Sequence, residues 1–343
     1  MTEIVTPQQL DTEESQLDLT LRPDTLLEYF KEGSIKPDLY KNLQIFLHAA
    51  RDRGEALEHV LFFGPPGLGK TTLAYILAKE LDSSVKITSG PAIERAGDLI
   101  SILTNLKDRD ILFIDEIHRL NKVIEETMYP AMENYEVDII LGKGPSARSI
   151  RLDLPKITIV GATTKIGNMS APLRDRFGMH YRLEFYQAHE LAHIVERSAA
   201  LLGIDLTTTA AVRVAERSRG TPRIANRLLR RVRDFAQVNN FETITDEVVN
   251  TALELLEIDF LGLTSQDRSF LTCIGSSFAG GPVGIETIAA ALSEDKTTLE
   301  DVVEPFLIQS GMIKRTPRGR ELTSAGWQHI NMSPTTQRLE FNS

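Results

Sequence analysis

Apolar positions change their spacing several times along the chain, and each change predicts an element. Leu39, Leu43, Phe46, Leu47 and Ala50 fall on one helix face, and TLLEYF just ahead of them predicts a further helix. HVLFF at 59 to 63 is a short unbroken apolar run that stops at glycine and proline, the pattern of a strand buried on both faces of a parallel sheet. A helix is expected from Thr71 to Leu81. VKITS at 85 to 89, ILFID at 111 to 115, ITIVGAT at 157 to 163 and YRLEF at 181 to 185 predict further strands, with helical segments between them. That alternation is the signature of an α/β sandwich built on a parallel sheet.

One stretch breaks the rhythm. VDIILGKGPSARSIRLDL at 137 to 154 holds two alternating runs around a glycine- and proline-containing turn, which predicts a projecting β-hairpin. Beyond residue 187 the strand patterns stop. Helices are expected over 187 to 202, 207 to 218, 222 to 239 and 245 to 257, punctuated by Gly203, Gly220-Thr221-Pro222 and Asn239-Asn240. From Gly262, helices over 266 to 276, 285 to 292 and 298 to 309 lead into GMIKRTPRGRELTSAG, a turn flanked by short extended runs, which predicts a winged helix. The division expected is an acidic leader (1 to 20), an α/β domain (21 to 186), a helical domain (187 to 260), a winged-helix domain (261 to 332) and a polar tail (333 to 343).

Charge changes this picture locally. The net charge of −10 argues against a nucleic-acid binder. Its distribution argues otherwise, because residues 213 to 233 carry eight arginines against Glu216 alone. Lys314, Arg315, Arg318 and Arg320 form a second basic stretch without an acid, so local electrostatic binding is allowed. No apolar run is long enough to span a membrane, and the acidic N-terminus lacks the pattern of a secretory signal. A single cysteine, Cys273, excludes an intrachain disulfide and a cysteine-rich zinc site, and a cytoplasmic setting is expected.

The most specific chemistry lies between the first buried strand and its helix. GPPGLGKT, from Gly64 to Thr71, matches the phosphate-binding pattern G-x-x-x-x-G-K-T in full. Gly67 and Gly69 allow the backbone to turn its N–H groups toward phosphates. Lys70 is placed for the β and γ phosphates, Thr71 for Mg²⁺, and Thr72 beside it for the α phosphate. ILFIDE carries Asp115 to the exposed end of another strand, where it can orient Mg²⁺, and puts Glu116 next to it to polarise the attacking water. GATT at 161 to 164 ends a third strand on the same rim, making Thr164 a candidate γ-phosphate sensor with Thr163 as its rival. His118 is read as structural.

The motifs carry a resemblance. LRPDTLLEYF, HVLFFGPPGLGKTTLA, LFIDEIHRL, ILGKGPSARSIRLDLP, VGATTKIGNMSAPLRDRFG, RGTPRIANRLLRRVRDFA and QSGMIKRTPRGR resemble the RuvB family of bacterial Holliday-junction branch-migration ATPases, within the AAA+ superfamily. The resemblance covers nearly all of the chain past residue 20. It implies an α/β P-loop AAA+ ATPase domain with a parallel sheet, a small all-α lid domain and a C-terminal winged-helix domain. It also implies an ATP-driven motor, using ATP/ADP and Mg²⁺, that works as a hexameric ring on duplex DNA and moves four-way junctions in recombination and repair.

By the same resemblance, Arg174 in PLRDRFG is the arginine finger that reaches a neighbour's γ-phosphate, with Arg176 as rival, and Arg223 is the lid arginine that senses nucleotide in cis. Leu21, Arg22 and Tyr186 line the base and ribose, and Glu133-Asn134-Tyr135 lies near nucleotide. The hairpin at 137 to 153 docks the junction-binding protein RuvA, with the resolvase RuvC in the same assembly. Arg315 and Arg320 contact the DNA backbone. The chain departs from the family pattern after LLEYF, where YFKEGSIKPDLY is several residues longer. A clamp-loader-type ATPase shares the P-loop but does not account for the hairpin and wing together. An ATP-gated DNA scaffold is distinguished by its failure to move a synthetic junction.

Overall fold

The computed structural model describes residues 20–31, 37–141 and 148–331. The acidic leader, most of the longer segment after Phe30, the hairpin tip and the polar tail lie outside the described residues. Two compact units result. One takes the described residues up to Ile194 together with Thr221–Arg223; the other takes Val195–Gly220 and the described residues from Ile224 onward.

The first unit is a parallel sheet of five strands. They are β1 (Val60–Phe63), β2 (Val85–Ser89), β3 (Ile111–Asp115), β6 (Thr158–Thr163) and β7 (Met179–Arg182), in the order β2-β3-β6-β1-β7. The central strands β1, β3 and β6 are buried almost throughout, as their unbroken apolar runs require. The helices are α1 (Leu26–Lys31), α2 (Pro37–Arg53), α3 (Lys70–Glu80), α4 (Ala96–Thr104), α5 (Lys122–Glu133) and the single turn α6 (Ala171–Arg174). Asn121 caps α5 by accepting from the Ile124 amide at 3.1 Å, and Ser170 caps α6 by accepting from Leu173. Leu99, Leu103, Ile114, Ile124, Met128 and Phe177 belong to one core on this side of the sheet.

Two expectations need correction here. The strand predicted at 181 to 185 lies at Met179–Arg182, because those residues pair with Val60–Phe63 in parallel register. Past Arg182 the chain gives one more bond to β1, from the Leu183 amide to the Phe63 carbonyl at 2.8 Å, and then leaves the ladder. The hairpin forms as expected from β4 (Glu136–Leu141) and β5 (Arg148–Asp153). Its alternating residues do not share one exposed face, however. Val137 is fully buried in the core at the hairpin's root, Ile139 is half-buried, and among the hairpin's described side chains the exposed large apolar one is Ile150, opposite Ile139.

The second unit contains α8 (Thr208–Glu216) and α10 (Asp246–Leu255), the second half of α7 (Ala188–Leu201), most of α9 (Pro222–Val238), and the winged helix. The winged part has α11 (Ser265–Thr272), α12 (Ile285–Leu292), α13 (Glu304–Gln309), the antiparallel pair β8 (Ile313–Thr316) and β9 (Gly319–Leu322), and α14 (Ser324–His329). The helices predicted over 266 to 276 and 298 to 309 are not uniform. Each contains a wider π turn, at Cys273–Ser277 and Leu299–Val303.

Candidate functional site

The P-loop leaves the end of β1 and enters α3. Gly64 has φ 143° and lies so close to Leu183 that a Cβ would run into that residue's carbonyl. Gly69 caps α3 in the left-handed region at φ 91°, against the ring of Tyr29. Both glycines are therefore demanded by the path of the loop. Leu68 between them is fully buried and anchors it, while Thr71 and Thr72 are half-buried in the first turn of α3.

Lys70 turns its amine back into the loop and donates to the carbonyls of Gly64 and Pro65, each at 2.8 Å. Burial lowers its pKa to about 8, against the pull of Asp115 and Glu116, and Arg223 lowers it further. Burial raises the Asp115 carboxyl, and the neighbouring Glu116 charge raises it further. A buried carboxylate beside a second one is a site that favours a cation. Thr71 and Asp115 carry hard oxygen donors of the kind that could hold Mg²⁺. Among the described residues no cluster of three or more His, Cys, Asp or Glu side chains is placed to hold a metal ion.

Glu116 sits at φ 47° and points its carboxylate across to the end of β6. Thr164 donates to it from its hydroxyl, at 3.0 Å to Oε2, and aims its backbone N–H at the same oxygen from 3.4 Å. Thr163 is fully buried and its hydroxyl faces His118 Nδ1 at 2.9 Å. The two threonines are thus separated: Thr164 faces the acidic pair, and Thr163 braces His118. His118 is drawn into the site as well, with Nδ1 at 3.1 Å from Glu116 Oε2. Burial lowers the pKa of this imidazole despite the Glu116 charge.

The N-terminal segment packs along the same helix. Asp24 pairs with Lys79 at 2.8 Å, and the Leu26 amide reaches Glu80. Leu21 is buried, and the Arg22 guanidinium lies over the Tyr75 ring at 4.7 Å. Tyr29 had no assigned role in the sequence, yet its hydroxyl donates to the Leu68 carbonyl at 3.0 Å and bonds Tyr186. Burial pushes its phenol up to about 12. Arg223 is close enough to act electrostatically on both Lys70 and Asp115.

Other expected residues gather at the opposite edge of the sheet. Glu133 ends α5, Asn134 is its C-cap, and Tyr135 at φ 57° starts the hairpin beside His59. His59 immediately precedes β1, whereas the P-loop follows it. The five residue-to-residue steps from His59 to Gly64 span roughly 16 Å in an extended strand. Arg176 joins this edge: it pairs with Glu133 at 2.9 Å, donates to the Pro172 carbonyl and stacks over the Tyr129 ring at 4.1 Å. Arg174 is 41 % exposed and approaches Asp175 no closer than 3.8 Å.

In the second unit the two wing arginines differ. The Arg315 side chain is 58 % exposed and reaches Glu300 at 3.4 Å. Arg320 is 8 % exposed and bonds Glu304 at 2.9 and 2.7 Å and Glu300 at 3.2 Å. The two arginines expected at the DNA backbone therefore differ in accessibility: Arg315 is open to solvent, and Arg320 faces inward because the buried Glu304 carboxylate claims its fork.

A P-loop with an adjacent acid pair, a threonine rim, a helical segment and a winged helix defines a family by order and not by any one motif. The family model described as the Holliday junction DNA helicase RuvB P-loop domain matches residues 21–183, that of the RuvB AAA lid domain residues 186–259, and that of the RuvB C-terminal winged helix domain residues 260–331. The chain belongs to the RuvB family. It is an ATP-hydrolysing motor of the kind that drives Holliday-junction branch migration. The solved structure of the Thermotoga maritima RuvB Holliday junction branch migration motor is 44% identical over 92% of this chain and 99% of that one, with a TM-score of 0.81. An arginine-to-alanine variant of that protein matches at 44% identity and a TM-score of 0.80, over 91% of this chain and 99% of that one. Further solved variants of it replace a lysine, an alanine, a threonine and a proline. None of the helices among the described residues is long and apolar enough to cross a membrane.

Proposed function

We propose that this chain hydrolyses ATP in a site completed by a second copy, within a hexameric ring that encircles duplex DNA and moves four-way junctions. The observation that carries this reading is the separation of the assigned residues onto two edges of one sheet. Lys70, Thr71, Asp115, Glu116 and Thr164 share the edge that holds the P-loop. Glu133, Asn134, Tyr135 and Arg176 lie at the other, where they cannot touch the same chain's phosphates.

On the first edge, Gly67, Gly69 and Thr72 shape the phosphate loop. Lys70 exchanges its two carbonyl partners for phosphate oxygens, which are charged and therefore stronger acceptors. Thr71 and Asp115 hold Mg²⁺, which offsets charge on the β and γ phosphates. Glu116 orients the attacking water once Thr164 turns from the carboxylate toward the γ-phosphate. Leu21, Arg22 and Tyr186 enclose the base and ribose, and Arg223 carries the nucleotide state to the lid. Hydrolysis then changes the angle of the lid, and the ring converts that change into pulling on DNA through the wing. In this reading the hairpin docks RuvA, with RuvC in the same assembly.

For the finger, the residues favour Arg176 over Arg174. The substituted lysine, alanine, threonine, arginine and proline of the Thermotoga protein are spaced as Lys70, Ala162, Thr164, Arg176 and Pro222 are here, so its truncated arginine falls on Arg176. Arg176 also stands beside Glu133, which opens the stretch expected near nucleotide yet lies on the edge away from this chain's own P-loop. Arg176→Ala should keep ATP binding and lose hydrolysis by on the order of 10³-fold or more, while Arg174→Ala stays within a few fold. Mixed rings of Arg176→Ala and Lys70→Ala chains should regain hydrolysis, measured beside movement of a synthetic junction. Full activity of Arg176→Ala would overturn the assignment.

A further inference from the structure

His59 lies at the second of these edges, beside Tyr135, and nothing in the site described above uses its side chain. It is 7% exposed, and both ring nitrogens are committed to backbone groups. Nδ1 accepts from the Ile159 amide at 2.9 Å, so Nδ1 carries no proton. Nε2 is therefore the protonated nitrogen of the neutral ring, and it donates to the Met132 carbonyl at 3.0 Å.

That carbonyl belongs to the last turn of α5, where helix carbonyls lack an intrahelical partner. Asn134 returns its amide to Pro130, which leaves Met132 to an outside donor. Glu133, Asn134 and Tyr135 follow at once, and the Tyr135 ring is tilted beside the imidazole at 6.3 Å between centroids. The backbone of His59 completes the arrangement. Its carbonyl accepts from the Met179 amide at 3.2 Å, three residues after Arg176. One residue thus ties the start of β1 to the start of β6, to the end of α5 and to the approach of β7.

We propose that His59 is a positioning residue for the edge that acts on the neighbouring subunit: it fixes Glu133 and Arg176 relative to each other and to the strand that carries the chain's own P-loop. This inference rests on the reading that Arg176 acts in trans. The ring does its work through one donor bond, Nε2–H to Met132, while its acceptor bond to Ile159 holds the strand pair.

The two bonds can be removed separately. An asparagine amide oxygen takes the place of Nδ1, and a glutamine amide nitrogen takes the place of Nε2. His59→Asn keeps the bond to Ile159 and releases Met132. His59→Gln keeps the bond to Met132. In full-length rings on duplex DNA, His59→Asn should lower kcat by on the order of 10²-fold, the scale of a small misplacement of a reacting group. Its affinity for a fluorescent ATP analogue should stay within about twofold, since its own P-loop is intact; such uniform nucleotide binding is separable from a loss confined to the transition state. His59→Gln should retain most of the rate.

Mixing with Lys70→Ala chains then assigns the defect to an edge. Those chains carry a normal His59, Glu133 and Arg176, so P-loops of His59→Asn beside them should regain hydrolysis. Arg176→Ala mixed with Lys70→Ala serves as the control for the trans reading. Recovery in the control without recovery for His59→Asn overturns the role of His59 alone. No recovery in the control overturns the trans reading, and this inference with it. A His59→Gln variant as slow as His59→Asn, or a matching loss of ATP affinity in His59→Asn, also overturns the inference.

Discussion

Lys70 and Arg219 are both shielded from solvent, and they are held in opposite ways. The Lys70 amine rests on two neutral carbonyls of its own loop, with its nearest carboxylates acting only at a distance. Arg219 is fixed from every side. Its guanidinium forms a buried ion pair with Asp267, donates through Nε to the Gly262 carbonyl at 2.9 Å and stacks over Phe306 at 4.6 Å. Asp267 is committed in turn, accepting from the Thr264 amide at 2.7 Å and the Thr264 hydroxyl at 2.6 Å. A cation on neutral acceptors gives them up readily to a phosphate, whereas a cation in a closed network has no such option. The first arrangement keeps a charge available for substrate. The second holds the turn that follows α8 and the start of α11 at a fixed spacing. Arg219 lies four residues before Arg223, so the closed network begins just ahead of the segment proposed to sense nucleotide.

The comparison is broken most severely at Asp267. Asp267→Asn leaves the Arg219 charge buried without its counter-charge, at a cost of about 3–5 kcal/mol. A clear fall in the melting temperature of the ligand-free protein is expected, with nucleotide affinity little changed. An unchanged melting temperature would show that the network is not closed in solution.

At Lys70 the sign reverses. Lys70→Met should abolish hydrolysis yet leave the ligand-free protein as stable as before or more so, by on the order of 3 kcal/mol at most. The reason is that burial lowers the Lys70 pKa from 10.5 to about 8, so the folded state bears a penalty for holding the charge at neutral pH. Between those two values the unfolded chain binds the proton that folded Lys70 has released, and stability of the unsubstituted protein rises with pH. The advantage of Lys70→Met should therefore be full below about pH 8 and fade toward pH 10.5. Melting curves taken across that window check the sign; a variant less stable at pH 7 contradicts it.

The smallest effect sharpens the comparison within the wing. Arg315 is exposed, so Arg315→Ala should weaken binding to unrelated duplexes about equally and reduce the salt slope by about one phosphate contact. Arg320 is sealed against Glu304, so Arg320→Ala should appear first as a lower melting temperature. Titrations at several salt concentrations, read beside melting curves, separate the two. A purely DNA-binding loss from Arg320→Ala would place that side chain with the available cations.

Much of this site is legible in the sequence because its chemistry is local. The P-loop and the Asp115-Glu116 pair each occupy consecutive residues at a strand end, and buried strands are readable from unbroken apolar runs. What could not be read depends on side-chain direction or on long-range contact. Thr163 and Thr164 are adjacent at the end of β6, and only their orientation assigns one to His118 and the other to Glu116. Tyr29 meets the P-loop across 39 residues, and Glu133 meets Arg176 from a different element. The inward turn of Arg320 depends on Glu304, sixteen residues earlier, and a basic cluster in a sequence carries no sign of that partner. The strand at Met179–Arg182 is obscured because its residues are less uniformly apolar than the LEF that follows.

Trp327 is the chain's single tryptophan, and it is buried among Phe270, Ile274 and Leu299 in the winged core. Excited at wavelengths that tyrosine does not absorb, the protein therefore has an optical signal confined to one domain, with no label introduced. Far-ultraviolet dichroism, by contrast, sums the helices of both units. A melt followed by both signals should give coincident curves if the chain unfolds as one cooperative body and displaced curves if the winged core melts on its own. The same emission can be watched while ATP is added, which makes this residue a silent observer of whether events at a P-loop are felt in the domain that holds DNA.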